Sequence, residues 1–468
     1  MKLSNEILRG LAMAGLAIAT TENHTSLRNI IYFDQYHTAL LPGKNVTAGI
    51  THVIMAFANS SLFAAETAGK YEPFMAVDEV RAMFDNGTQV GIALGGWGDT
   101  AGFTAGAKSE SSRKTYAQNV AKMADEFGFD FVDIDWEYPG GNGADYKQIP
   151  NANKTTEITT FPQLLHEIKD AIRPKQLSIA VPAMQRDMIA YTPYQAPQIF
   201  AAVDMVNLMS YDMMSRRDTA TLHHTSVKGS FEAVKRYMEL GLSPCKINLG
   251  LAYYAKFFQT APNATCTEPI GCPIVKAEAD DGSDTGTSGA ITFEKANVFP
   301  APAPANLTSS PDATCGAGTT FTCGGSAAGG CCSQYNSCGS TPAHCGLGCQ
   351  SAYGTCSGPD ISTSFTTALA NGIVDEKEGG MWYWDAEGKI FWTWDTAELM
   401  QRKFREIIEP LGLGGVMAWS LGEDSADWGH IQTVTRMATG RSPTSFQYNA
   451  RAEKVHGRIV RPHGRRLA

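Results

Sequence analysis

Along this chain, short continuous apolar runs alternate with stretches in which apolar residues recur every three or four positions. The runs are "NIIYF" (29–33), "THVIMAF" (51–57), "QVGIAL" (89–94), "FDFVDID" (129–135), "LSIAVP" (177–182), "DMVNLM" (204–209), "KINLGLA" (246–252) and "GVMAWS" (415–420). Their β-branched and apolar content predicts strands buried on both faces. Stretches 111–127, 161–173, 228–240 and 396–409 carry the helical period instead. Eight strand–helix repeats in order predict an α/β chain, a (β/α)8 TIM barrel over residues 27–435.

The repeat breaks once. About 160 residues separate the seventh run from the eighth, so an α+β insertion is expected there, at about 255–395. Within it, residues 280–312 are rich in Gly, Ser, Thr, Ala and Pro and read as linker. Residues 313–357 are rich in cysteine, and 379–395 return to aromatic alternation. The basic end, 441–468, reads as a flexible solvated tail.

Composition narrows the function. At 468 residues and 43% hydrophobic content, the chain can bury one large core and carry an appended module. Its net charge of −9 argues against a nucleic-acid partner, which needs a basic face. Residues 1–19 have the pattern of a secretory signal: Lys2 and Arg9, an apolar run too short to span a bilayer, then Ala17-Ile18-Ala19. Sequons at Asn23, Asn45, Asn59, Asn86, Asn153, Asn263 and Asn306 agree with export. No other segment reads as a membrane helix. A secreted, extracellular monomer without cofactor or metal is expected.

The fourth run holds the chemistry. In "FDFVDIDWEYPG" (129–140), Asp133, Asp135 and Glu137 fall two residues apart and share one face of a strand. Asp130 is out of phase and reads as structural. Glu137 lies at the carboxyl end, where such barrels keep their active sites. The strand rise puts it roughly 6–7 Å from Asp135. Partly desolvated carboxyls this close cannot all ionise, so they share a proton and supply a general acid near neutral pH. A calcium or magnesium site would draw ligands from several loops, and no such pattern is visible.

"DFVDIDWE" resembles the D-x-x-D-x-D-x-E signature of family 18 glycoside hydrolases, the chitinase family. "NLMSYD" (207–212) is similar to the family's M-x-Y-D, and "VMAWSLGED" to its last strand. The resemblance implies Glu137 as acid and then base, with Asp135 steadying the substrate's N-acetyl group, whose oxygen is the nucleophile. Asp133 would exchange a proton with Asp135, and Tyr211 would bond the acetamido oxygen. Asp212, Met209, Trp419, Tyr32 and Phe57 would line the sugar site. Trp97 is a further candidate, and Trp382 and Trp384 are weaker ones. Ala93 stands where the family usually has serine, which removes one hydrogen bond from the acid cluster. His223 and His224 are expected at the surface.

The cysteines of 313–357 follow C-x7-C-x7-CC-x5-C-x6-C-x3-C-x6-C. Eight cysteines allow about a hundred pairings. A zinc cluster with His344 competes, but export and the adjacent Cys331-Cys332 disfavour it. "CCSQYNSCGS" resembles hevein-type chitin-binding modules. That implies Cys315–Cys332, Cys323–Cys338, Cys331–Cys345 and Cys349–Cys356, with Ser333 and Tyr335 touching sugar. Ser337 and His344 stand where such modules usually place aromatics. Cys266 and Cys272 are expected to pair, and Cys245 to be a buried free thiol.

Together these features predict a secreted chitinase that acts on chitin or N-acetylglucosamine oligomers. A non-catalytic chitin lectin on the same barrel is the alternative, opposed by the presence of Glu137. An endo-β-N-acetylglucosaminidase acting on N-glycans is a second, opposed by the cysteine module.

Overall fold

The computed structural model describes residues 27–299, 302–358 and 361–440. The leader expected at 1–19, the Asn23 sequon and the tail 441–468 lie outside the described residues.

The eight expected runs form the strands of a closed parallel barrel. They are β1 (Arg28–Asp34), β2 (His52–Ala58), β3 (Gln89–Gly95), β4 (Phe131–Asp135), β5 (Gln176–Pro182), β6 (Met205–Met209), β7 (Ile247–Ala252) and β8 (Gly415–Trp419). β8 pairs with both β7 and β1 and closes the ring. Side chains alternate across this wall. Ile31 and Phe33 pack against the helices, whereas Ile30 and Tyr32 fill the bore with Ile54, Phe131 and Met417. The outer helices follow their apolar period. Glu110–Glu126 buries Tyr116, Ala117, Val120, Met123 and Ala124, and it starts at a capping box in which the Ser109 and Ser112 side chains serve each other's backbone.

The out-of-phase Asp130 sits outside the bore. It accepts hydrogen bonds from Arg81 Nη1 at 2.7 Å and Val90 N at 2.8 Å.

Between β7 and β8 the chain builds a five-stranded antiparallel sheet. Its order is Ile373–Asp375, Gly380–Asp385, Ile390–Trp394, Tyr254–Gln259, Ser288–Thr292. Helix Ser362–Asn371 covers one face, where Phe365 meets Phe257, Trp392 and Trp394 in one apolar cluster. Trp382 and Trp384 pack in a second cluster of this sheet with Phe258 and Phe391; of these four, Phe258 lines the cleft and the two tryptophans do not.

The sheet explains one difference from the sequence reading. His223 and His224 are buried, because the returning chain covers them. His223 Nε2 lies 3.1 Å from Asp375 Oδ2, and the His224 ring lies against Tyr254. Cys245 differs the other way: it is free and exposed. β7 begins at Ile247, and Cys245 falls in the turn Pro244–Lys246 before it.

Five disulfides are present: Cys266–Cys272, Cys315–Cys332, Cys323–Cys338, Cys331–Cys345 and Cys349–Cys356. No helix of the described residues is long and apolar enough to cross a membrane.

Candidate active site

The carboxyl ends of the barrel strands open into a cleft of about 590 Å³, within the range of small-molecule sites. β4 feeds it with carboxyls. Asp135 and Glu137 line the cleft, and Asp133 lies fully buried beneath them. The end of β3 closes tightly on this strand. Gly96 N donates to Asp135 O at 2.9 Å, and a Cβ on Gly95 would stand 2.3 Å from that same oxygen. Both glycines have positive φ, so the approach needs their conformational freedom.

Asp133 is fully provided for. Tyr32 Oη donates to its Oδ2 at 2.8 Å, and Ser178 Oγ and Asn207 Nδ2 donate to its Oδ1 at 2.5 and 3.1 Å. Asn207 is in turn held by Asn248 Nδ2 at 2.8 Å. Ala93 pairs with Asp133 from one side in the barrel register, and Ser178 from the other. The hydroxyl that Ala93 lacks is therefore supplied across the strand. Ser178 and Asn207 escaped the sequence reading, although each is a polar residue inside an apolar strand, in phase with the bore.

Asp135 is the opposite case. Its Oδ1 is buried with no hydrogen-bond partner. Burial, then Glu137, then Asp133 raise its pKa well above the carboxylate range. Burial pushes Asp133 up to about 6 against its three hydrogen bonds. Burial also pushes Glu137 up to about 7, offset by a hydrogen bond with Tyr138 and reinforced by Asp212 and Asp187. Near neutrality the line therefore holds fewer charges than carboxyls, and Glu137 is poised to give up a proton.

The remaining walls come from other strands. Tyr211 lines the cleft, and its hydroxyl is kept neutral by burial and then by Asp135 and Glu137. Asp212 follows it with φ 54°. Its side chain is 54% exposed in the cleft, though the surrounding walls oppose its ionisation. Even so, Lys256 Nζ at 3.1 Å, His224 at 3.8 Å and a Tyr254 hydroxyl bond of 2.8 Å hold it below the usual carboxylate range. Met209 lines the same wall.

Trp419, at the end of β8, stacks on Phe57 with ring centroids 5.6 Å apart and lies 5.5 Å from Tyr32. Its indole donates to Glu423 Oε1 at 3.0 Å. Trp97 lines the cleft after β3 and is 53% exposed. Tyr335, from the cysteine-rich segment, lines it as well. Ser333 does not. It is buried, and its hydroxyl accepts from the backbone N–H groups of Tyr335 and Ser337 at 3.3 and 3.2 Å.

The family model for glycosyl hydrolases family 18 matches residues 28–424, from the first barrel strand through the loop that follows the last. The chain belongs to that family. Two relatives by sequence are Chitinase 1 of Aphanocladium album and Endochitinase 1 of Metarhizium robertsii. The first is 27% identical over 286 residues, 52% of this chain and 63% of the relative. The second is 28% identical over 210 residues, 41% of this chain and 45% of the relative. The matched stretch thus spans less than two thirds of each. Among solved structures, a variant of catalytic domain 2 of the Ostrinia furnacalis Group II chitinase, in complex with (NAG)5, superposes with a TM-score of 0.61. That pair is 17% identical over 89% of this chain and 97% of the other, which establishes a common fold. In this family 18 chain, Asp133 and Asp135 stand on β4 and Glu137 two residues past its end.

Proposed function

We propose that this protein is a chitinase, hydrolysing β-1,4 links between N-acetylglucosamine units with retention of configuration. One observation carries the reading: Asp135 Oδ1 is buried and unpartnered beside the poised acid Glu137. Leaving a buried polar atom unsatisfied is costly, and an acetamido N–H of the substrate would satisfy it. The mechanism uses the substrate's own nucleophile, as family 18 enzymes do. The acetamido oxygen attacks the anomeric carbon while Glu137 gives its proton to the departing glycosidic oxygen. A cyclic oxazolinium ion forms, its positive charge steadied by Asp135. Glu137, now a carboxylate, takes a proton from water as that water attacks the anomeric carbon and reopens the ring. Tyr211 donates to the acetamido oxygen, and Asp133 shares a proton with Asp135. Trp419, Tyr32 and Phe57 form the apolar floor under the sugar, and Asp212 holds its hydroxyls.

Export fits the same reading. Five disulfides suit an oxidising compartment, and the sequon asparagines 45, 59, 86, 153, 263 and 306 are exposed.

The test is an NMR time course on chitin oligomers. β-anomeric products should appear first, and fully deacetylated chitosan should resist cleavage. Glu137→Gln should lower turnover by at least roughly 10²-fold, the lower end for general acid–base catalysis. Initial α-anomer, or equal rates on the deacetylated polymer, would refute substrate assistance.

A further inference from the structure

The cysteine-rich segment is seated on the insertion sheet beside the cleft. Leu347 is buried in the apolar cluster that also holds Phe257, Phe365 and Trp392. Its backbone N–H donates to Gly286 O at 2.7 Å. Gln334 lies against Gly289, where an added Cβ would stand 2.4 Å from the Gln334 amide. The missing Cβ leaves room for the Gln334 amide and for the Phe257 ring, which an added Cβ would meet at 2.5 Å. Strand Ser288–Thr292 is therefore shared: it carries the segment, and its Ser288 and Gly289 line the cleft.

The next residue is Tyr335. The chain turns sharply there, with Asn336 at φ 58° and its N–H donating to Ser333 O at 3.1 Å. The buried Ser333 hydroxyl accepts from Tyr335 N and Ser337 N, which fixes the turn. The ring of Tyr335 is 67% exposed yet lines the cleft. Among the described residues it has no aromatic partner. Arg216 and Asp284 pair at 3.4 Å on the same lining.

We propose that Tyr335 is a sugar-binding wall of the catalytic cleft itself, stacking on a unit of a β-1,4-linked N-acetylhexosamine chain away from the bond broken at Glu137. Barrel topology supports the placement. β3 and β7 stand four places apart in a ring of eight. Trp97, after β3, and Tyr335, in the insertion after β7, thus belong to segments that leave the barrel from opposite strands, and both line the cleft with Asp135 and Glu137. An open aromatic ring offers an apolar face to the C–H face of a pyranose. A segment fixed this way does more than tether the enzyme to a surface. It lengthens the groove, so the preference for long over short chains depends on it. Ser333 and Gly289 are positioning residues for that wall.

The inference rests on the hydrolase reading above, and the experiment separates the two. The full secreted chain and its Tyr335→Ala and Tyr335→Phe variants are assayed on chitohexaose and on a fluorogenic chitobioside, with adsorption to insoluble chitin measured in parallel. In Tyr335→Ala, the ratio of kcat/KM for hexamer to that for chitobioside should fall about fivefold to tenfold, the size expected for one lost stacking face. Tyr335→Phe keeps the face and should restore the ratio. An unchanged ratio in Tyr335→Ala overturns the proposal, even if adsorption drops. An equal loss on both substrates overturns it as well. If the unaltered chain cleaves neither substrate, the hydrolase reading itself has failed.

Discussion

In the barrel, Ile31, Phe33, Val53 and Met55 face the helices while Ile30, Tyr32 and Ile54 fill the bore. In the cysteine-rich segment, the buried cluster consists of Cys315, Cys323, Cys332, Cys338 and Tyr353. The first region holds its shape by removing apolar area from water. The second has almost no aliphatic core, and four cross-links spanning 7 to 17 residues stand in for one. In the chain-entropy account, a loop of about 15 residues confers about 3 kcal/mol. The difference teaches where each region is vulnerable. The barrel's shape and its chemistry depend on the same packed strands. The segment's shape is its own, but its position is borrowed through Leu347 and Gln334.

The sharpest way to break the comparison is where the insertion sheet returns to the barrel. Asp395, just past the strand Ile390–Trp394, and Lys403, on the helix that leads to β8, pair at 1% and 0% side-chain exposure, 2.5 Å apart, and Thr225 takes a second ammonium bond. Asp395→Ala strands the ammonium, which should cost about 3–5 kcal/mol, read as a lower urea midpoint for the whole barrel. A cost below about 1 kcal/mol, the level of a surface pair, would mean that this wall relaxes more than its packing implies. A smaller effect is expected at the joint. Leu347→Ala should remove about 2 kcal/mol of docking, the low end for a buried leucine at a boundary. Proteolysis within residues 313–357 should quicken while the barrel's urea midpoint holds. If that midpoint moves instead, the segment and barrel form one cooperative unit, and the contrast between them fails.

The same contrast explains what could be read in advance. Each barrel strand lies within two residues of its apolar run, because a strand buried on both faces leaves a continuous signature. Asp133, Asp135 and Glu137 stood out because charge inside such a run has few explanations. Ser178, Asn207 and Asn248 were harder to see, since one polar residue in a strand gives no hint of its partner across the bore. His223 and His224 misled because their cover comes from the insertion: Asp375 for His223, about 150 residues further on, and Tyr254 for His224. Cys245 misled because β7 begins at Ile247, two residues after it, and the turn Pro244–Lys246 leaves it outside the strand. The lodging of Tyr335 in the cleft was illegible for a related reason. The spacing of cysteines describes the segment's interior, whereas its seat depends on Gly286, Gly289 and Leu347, in which local sequence carries no periodic signal.

The smallest expected effect separates the two regions most cleanly, because it concerns a proton. In the proposed mechanism Glu137 acts as an acid only while protonated, and its pKa is pushed up to about 7. The alkaline limb of kcat/KM should therefore fall through that region, with activity present below it and lost above. Burial is the largest cause, and Asp187 adds to it across the cleft. Asp187 itself is held by Arg217 Nη1 at 3.2 Å and lies near Arg186. Asp187→Asn keeps an acceptor for Arg217 but removes the negative charge and leaves two guanidiniums less balanced. Both changes favour ionised Glu137, so the limb should move to lower pH. Tyr335→Ala removes no charge near neutral pH, so its limb should stay where it is while chain-length preference changes. Asp187→Asn should show the reverse pattern. Parallel pH profiles on chitohexaose and the chitobioside read both at once. A limb that stays fixed in Asp187→Asn would mean that burial and Asp212 set the acid without Asp187, and a limb that moves with Tyr335 would tie the segment to the proton as well as to the sugar.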